Sequence, residues 1–132
     1  MIEQVYDNDN NVIAIIIRSN YKKEGISFVT PNEYSQQMAY MHHPQGHVIA
    51  PHIHNEVIRE IRDTKEVLVI KNGKLRCDFY TDGKEYIKST IVETGDVIML
   101  VQGGHGFECL EETEMIEIKQ GPYAGEADKV RF

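Results

Sequence analysis

Cysteine is scarce in this chain. Cys77 and Cys109 are the only two, too few for a disulfide framework, and reduced thiols are the default reading. Positive charge is also in deficit, with 14 basic against 21 acidic residues and a formal charge of -7. No basic stripe is present, which argues against a nucleic-acid binder and against docking on an anionic membrane. The longest apolar run, Val12 to Ile17, spans six residues, far short of the ~20 needed to cross a bilayer. No basic stretch followed by an apolar core occurs near Met1, where Asp7 and Asp9 come early. No signal peptide is therefore expected, and the inferred location is cytoplasmic. Internal repeats and low-complexity segments are absent as well.

What is there fits one folded domain, residues 1–132, with 41% apolar and 27% charged residues. Short apolar runs and period-2 alternation dominate. Val12 to Ile17 reads as a buried strand preceded by the turn residues Asp7-Asn8-Asp9-Asn10, so 2–6 and 12–18 are expected to form a hairpin. Glu66 to Ile70 is a strand, and Asn72-Gly73 after it predicts a tight hairpin. From Lys74 to Thr81, Leu75, Cys77 and Phe79 alternate with Arg76, Asp78 and Tyr80. Asp82-Gly83, Gly95-Asp96 and Gly103-Gly104 mark further turns, and 105–111 with 113–119 is expected to close as a hairpin around Glu112. Many short strands with glycine turns predict an all-β sandwich or barrel. Pro31 to Tyr34 and Asn55 to Arg62 are the two places where a helix fits. In the second, Val57, Ile58 and Ile61 have helical spacing, but β-branched residues suit an irregular loop or a strand extension equally well. Residues 120–132 read as an extended strap.

Three of the six histidines stand in a pattern suited to a metal. His52 and His54 are two apart on an expected strand, which puts both imidazoles on one face. Glu66 opens the next clear strand and His105 opens a late one. Three neutral imidazoles and a carboxylate suit a borderline divalent transition metal. The remaining histidines, His42, His43 and His47, read as turn and surface residues. Arg59 and Arg62 read as surface ion-pair partners of Glu56 or Asp63, with anion binding as the other option. Tyr40, Tyr80, Tyr86 and Tyr123 read mostly as ordinary strand aromatics, with the mouth of a pocket as the other option.

Two blocks of the chain resemble the motifs of the cupin superfamily. In the first, Gly46 precedes His52-Ile53-His54 by five residues, and Glu66 precedes Gly73 by six. In the second, Gly95 is followed after five residues by Val101-Gln102-Gly103-Gly104-His105. The likeness spans residues 36–118, with an N-terminal hairpin 2–18 before it and the strap 120–132 after it. The departures are specific. Eleven residues separate His54 from Glu66 where the family has three or four, Val101 replaces a proline, one residue is missing before His105, and Cys109 stands in place of an asparagine. If 52–62 continued as one strand, Glu56 and Glu60 would share the histidines' face. Glu66 has the right distance to Gly73, and Glu60 is the substitute.

The resemblance implies a double-stranded β-helix (jelly-roll) barrel with a divalent metal, iron, manganese, nickel or zinc, held inside by His52, His54, Glu66 and His105. Alternation then turns Val48 and Ala50, Leu68 and Ile70, and Phe107 and Cys109 inward around it. Cys109 is expected to act there as a small hydrophobe. Val67 and Val69 would face outward as a stripe that is either covered by the termini or used as an interface, and a homodimer through that sheet is expected. The family's chemistry implies action on a small molecule, such as isomerisation or epimerisation of a sugar derivative. An iron(II) dioxygenase and a binding module without turnover are the alternatives.

Overall fold

Period-2 alternation and aliphatic runs leave this chain little choice but strands. The structure, a computed structural model, describes residues 1–132. Ten antiparallel strands form: β1 (Ile2–Tyr6), β2 (Val12–Ile17), β3 (Gly25–Phe28), β4 (Ala39–His42), β5 (Glu66–Asn72), β6 (Lys74–Tyr80), β7 (Tyr86–Glu93), β8 (Val97–Leu100), β9 (Gly104–Cys109) and β10 (Glu114–Lys119). One 3-10 turn, Gly125–Asp128, is the only helical piece. No helix is long and apolar enough to cross a membrane. The chain divides into two units, Met1–Tyr21 with Thr64–Phe132, and Lys22–Asp63.

The first unit holds a five-stranded sheet, β1-β2-β8-β5-β10, and a three-stranded sheet, β7-β6-β9. Ile16, Leu68, Ile70 and Ile98 from the first meet Leu75, Cys77, Phe79 and Val92 from the second in one apolar core. Burying these side chains contributes roughly 1.5–3 kcal/mol apiece, before conformational entropy is subtracted. The expected hairpin of β1 and β2 forms, and β2 takes a central place between β1 and β8.

The turn at Asn72-Gly73 is not a hairpin. β5 pairs with β8 and β10, whereas β6 pairs with β7 and β9. The chain crosses there from one sheet to the other, with Gly73 at φ 108° and no room for a β-carbon beside Glu112 and Thr113. The expected hairpin around Glu112 is likewise a crossing, since β9 and β10 belong to different sheets. Turn residues reverse the chain, but the hydrogen-bonding edge it meets next is a tertiary matter. At Asp82-Gly83 the hairpin of β6 and β7 does form, closed by Thr81 N–H donating to Glu85 at 2.8 Å. Its left-handed residue is Lys84, φ 70°, and not the glycine.

Val67 and Val69 have the outward parity expected of them, but there is no bare valine stripe: Val67 is buried. β5 is an inner strand, and Val67 lies between Met99 of β8 and Ile118 of β10. Outward exposure falls one strand further, on Ile116 and Ile118 of the edge strand β10.

The second unit contains the β3–β4 pair, in register from Gly25 with His42 to Phe28 with Ala39. Gln37 ties the intervening loop by donating to the carbonyls of Pro31 and Tyr34, each at 2.9 Å. Pro31 to Tyr34 is a turn rather than a helix. From residue 47 to residue 63 the chain has neither helix nor strand. The β-branched positions there do not support a helix, and the strand expected to carry His52 and His54 has no pairing partner.

Candidate functional site

Alternation along β5 turns Glu66, Leu68 and Ile70 to the interior, and the last two are core residues. Glu66 closes that row at the strand's end, where the sandwich opens. On β9, His105 stands opposite Phe79 of β6, so it shares the face of the core residues Phe79 and Cys77. The two strands lie in different sheets, and the side chains meet between them. His105 Nε2 is 3.1 Å from Glu66 Oε2.

A second contact orients the carboxylate. Lys119 on β10 is the register partner of Glu66, and its Nζ lies 3.3 Å from Glu66 Oε1. The same ammonium lies 2.8 Å from Asp128 Oδ2, and Asp128 Oδ1 accepts from the Thr64 hydroxyl at 2.7 Å. The result is a continuous polar row: Thr64, Asp128, Lys119, Glu66, His105. Its electrostatics are one-sided. The hydrogen-bonded His105 imidazole, helped by Lys119, holds the Glu66 carboxyl down at about 2, although burial acts in the opposite sense. The paired Asp128 and then Glu66 push the Lys119 ammonium up to about 12. Glu66 is therefore a carboxylate at any physiological pH, ready to hold a cation or a donor.

Thr64, Asp128, Glu66 and His105 of this row line a cavity of about 650 Å³ within the first unit. Tyr80, Phe107 and Phe132 give it aromatic walls, and Glu117 adds a further carboxylate. The Phe132 ring stands edge-on to Tyr80 at 5.1 Å between centroids, so the end of the chain forms part of the wall. Phe107 has inward parity yet is 40% exposed, and Cys109 beyond it is exposed outright. The expectation of a covered apolar lining fails at these two residues, because β9 has a strand neighbour on one side only.

In the second unit, His52 and His54 do present their rings together, with centroids 5.2 Å apart and planes at 72°. His52 Nδ1 lies 2.9 Å from the Ala50 carbonyl oxygen. A carbonyl only accepts, so Nδ1 carries the proton and the lone pair of the neutral ring sits on Nε2. That is the arrangement in which a backbone carbonyl fixes the tautomer of a ligating histidine. Val48 and Ala50, expected to face inward, are exposed. Glu56 is exposed, and Glu60 is exposed and paired with Arg62 at 2.7 Å, so Glu60 is committed elsewhere. His43 and His47 stack face to face at 4.0 Å.

The four residues singled out from the sequence thus fall into two pairs, one in each unit. No group of three or more His, Cys, Asp or Glu side chains is assembled to hold a metal ion. Within each pair the donor chemistry suits a divalent transition metal: an ionised carboxylate beside an imidazole, and an imidazole whose Nε2 is free. Lys119, Asp128, Thr64 and Phe132 escaped the sequence reading. The parity of Lys119 on β10 was a usable signal once Met115 is taken as inward. Nothing local marks Asp128 or Phe132, which arrive through the turns after Gln120. Comparison with family models, curated proteins and solved structures finds no match to this chain.

Proposed function

We propose that this chain is a small metal-binding protein of the cupin type, a double-stranded β-helix, that acts on a small molecule in the cavity beside Glu66 and His105. The observation that carries the reading is the convergence of Glu66 and His105, 3.1 Å apart, from two different sheets onto one cavity. In this reading His52, His54, Glu66 and His105 hold one divalent ion, iron, manganese, nickel or zinc. Bound there, the ion supplies Lewis acidity to an oxygen of the substrate. The chain's own residues do the rest. His105, with Lys119 behind it, keeps the Glu66 carboxylate ionised and oriented. Tyr80, Phe107 and Phe132 offer faces for a flat or ring-shaped substrate such as a sugar derivative. Isomerisation or epimerisation next to a carbonyl is the proposed chemistry. The two free cysteines suit a reducing compartment, so the cytoplasm is the proposed setting, with a homodimer as the working form.

One observation favours a second reading, a binding module without turnover. Lys119 is shared by Glu66 and Asp128, so neither carboxylate of the row is left free to act as a base.

Metal analysis of the purified protein tests the proposal. About one equivalent of metal per chain is expected for a single site with this ligand set. It should fall sharply in His54→Ala and in Glu66→Gln while the fold survives. A protein without metal whose melting temperature ignores chelators would overturn the reading. Iron accompanied by oxygen uptake would select a dioxygenase, and metal with no turnover on carbonyl sugars would select the binding module.

A further inference from the structure

Residues 121–132 differ from the rest of the first unit in how they are held. No backbone hydrogen bond joins them to either sheet, and none of them is buried. Yet Asp128, Lys129, Val130, Arg131 and Phe132 form one wall of the cavity beside Glu66 and His105. A wall fastened by side chains alone opens without breaking a sheet, and movable lids are drawn from such weakly held segments.

Two side chains do the fastening. Phe132 rests edge-on against Tyr80, and its ring sits so close to Gly104 that a β-carbon there would lie 3.0 Å from it. Asp128 is the polar fastening: it accepts from the Thr64 hydroxyl at 2.7 Å and pairs with Lys119 at 2.8 Å. Arg131 pairs with Glu126 inside the segment and adds nothing to its attachment.

Lys119 is where the wall meets the site. Its single ammonium serves Asp128 of the wall and, at 3.3 Å, Glu66 of the cavity. The two carboxylates are rivals for one cation. The side chains are 24% exposed for Lys119, 13% for Glu66 and 17% for Asp128, so water and salt screen the rivalry only in part.

We infer that residues 121–132 are a lid over the cavity, and that Lys119 sets how firmly the lid is latched according to what holds Glu66. Without a ligand, Glu66 draws on the ammonium and Asp128 is held loosely. A cation taken up by Glu66 claims that carboxylate and repels the ammonium. Asp128 is then the partner left to Lys119, and the lid is latched over its ligand. The inference rests on the proposed function in one respect, the divalent metal as that cation; the rivalry of the two carboxylates is independent of it.

Trypsin reads the lid, because Lys129 and Arg131 lie in it. Cleavage there is followed by mass spectrometry on the full chain, relative to cleavage after the exposed Lys22 and Lys23. Without metal, Lys119→Met should speed lid cleavage about two- to fivefold and Glu66→Gln should slow it by a like factor, the range a partly exposed ion pair supports. The two substitutions combined should match Lys119→Met alone, since Glu66 acts on the lid only through the ammonium. Thr64→Val, which removes the other partner of Asp128, should also loosen the lid and replaces Lys119→Met if that variant does not fold. Glu66→Gln cleaved as fast as wild type or faster, or a lid indifferent to loss of its latch, would overturn the inference. Manganese(II) alone, added to wild type, should slow lid cleavage as Glu66→Gln does and leave Lys119→Met unchanged; bound manganese with no slowing would also overturn it. Wild type that takes up no manganese, read from its paramagnetic resonance signal, would remove the metal reading instead, and the metal-free series would still decide the lid.

Discussion

Arg18 and Asp96 are 78 positions apart in sequence, yet Nη1 of the first lies 2.9 Å from Oδ2 of the second. The pair fastens the end of β2 to the turn between β7 and β8. Asp96 is buried, and it also accepts from the backbone N–H groups of Ser19 at 2.8 Å and Glu93 at 2.9 Å. Arg18 divides its guanidinium between Asp96 and Glu3, whose carboxyl it holds below the usual range through its hydrogen bond. Removing Asp96 leaves two amide donors without their acceptor and Arg18 with Glu3 as its one carboxylate partner. Asp96→Ala should therefore cost about 3 kcal/mol of stability, read as a lower midpoint in urea unfolding. A midpoint equal to wild type would mean that this junction carries no load.

Gly73 makes the crossing from β5 to β6. A β-carbon there would lie 2.4 Å from the Glu112 carbonyl oxygen and 2.7 Å from Thr113 Oγ1, at a φ of 108°. Backbone atoms cannot yield as a flexible side chain does. Gly73→Ala is expected to lower stability by about 2 kcal/mol or more, visible as a drop in melting temperature. Gly46→Ala, at φ 84° with open space around it, provides a comparison in which backbone strain acts without the clash.

Acid should loosen the polar row at the cavity. The Glu66 carboxyl sits at about 2 in the fold against an ordinary 4.5, so the folded state favours its ionised form. The stabilisation is complete above the unfolded value and is lost as pH falls from 4.5 towards 2. In metal-stripped protein, wild type should exceed Glu66→Gln in stability near neutrality, and the gap should close through that window. A gap independent of pH would show that the carboxylate makes no charged contact there.

The two thiols should behave differently. Burial pushes the Cys77 thiol up to about 12, with the nearby Asp78 charge adding to it, while Cys109 is exposed at the end of β9. A thiolate is the reactive form. Titration of native protein with a disulfide reagent should modify Cys109 alone, and Cys77 only after unfolding. Equal labelling of both would contradict the packing of Cys77 between the sheets.

Much of this molecule could be read directly from its residues. Alternation located many of the strands, so that the inward row of Glu66, Leu68 and Ile70 and the inward turn of His105 were legible before any coordinates, while the pairing of His105 with Phe79 was not. Side-chain period is a local property of a pleated chain, which is why it survives in one dimension. The rings of His52 and His54 do lie together, but not on the strand that their spacing predicted. What the local pattern left open was the identity of neighbours. Asn72-Gly73 and the turn at Glu112 look like hairpins, yet the chain crosses between sheets at both, because every strand edge offers the same donors and acceptors. The contact of Lys119 with Glu66, the anchoring of Asp128 and the placement of Phe132 on Tyr80 depend on which strands share a sheet and where the chain turns after Gln120. Those are decided by burial summed over the whole core, a quantity that no short stretch of sequence contains.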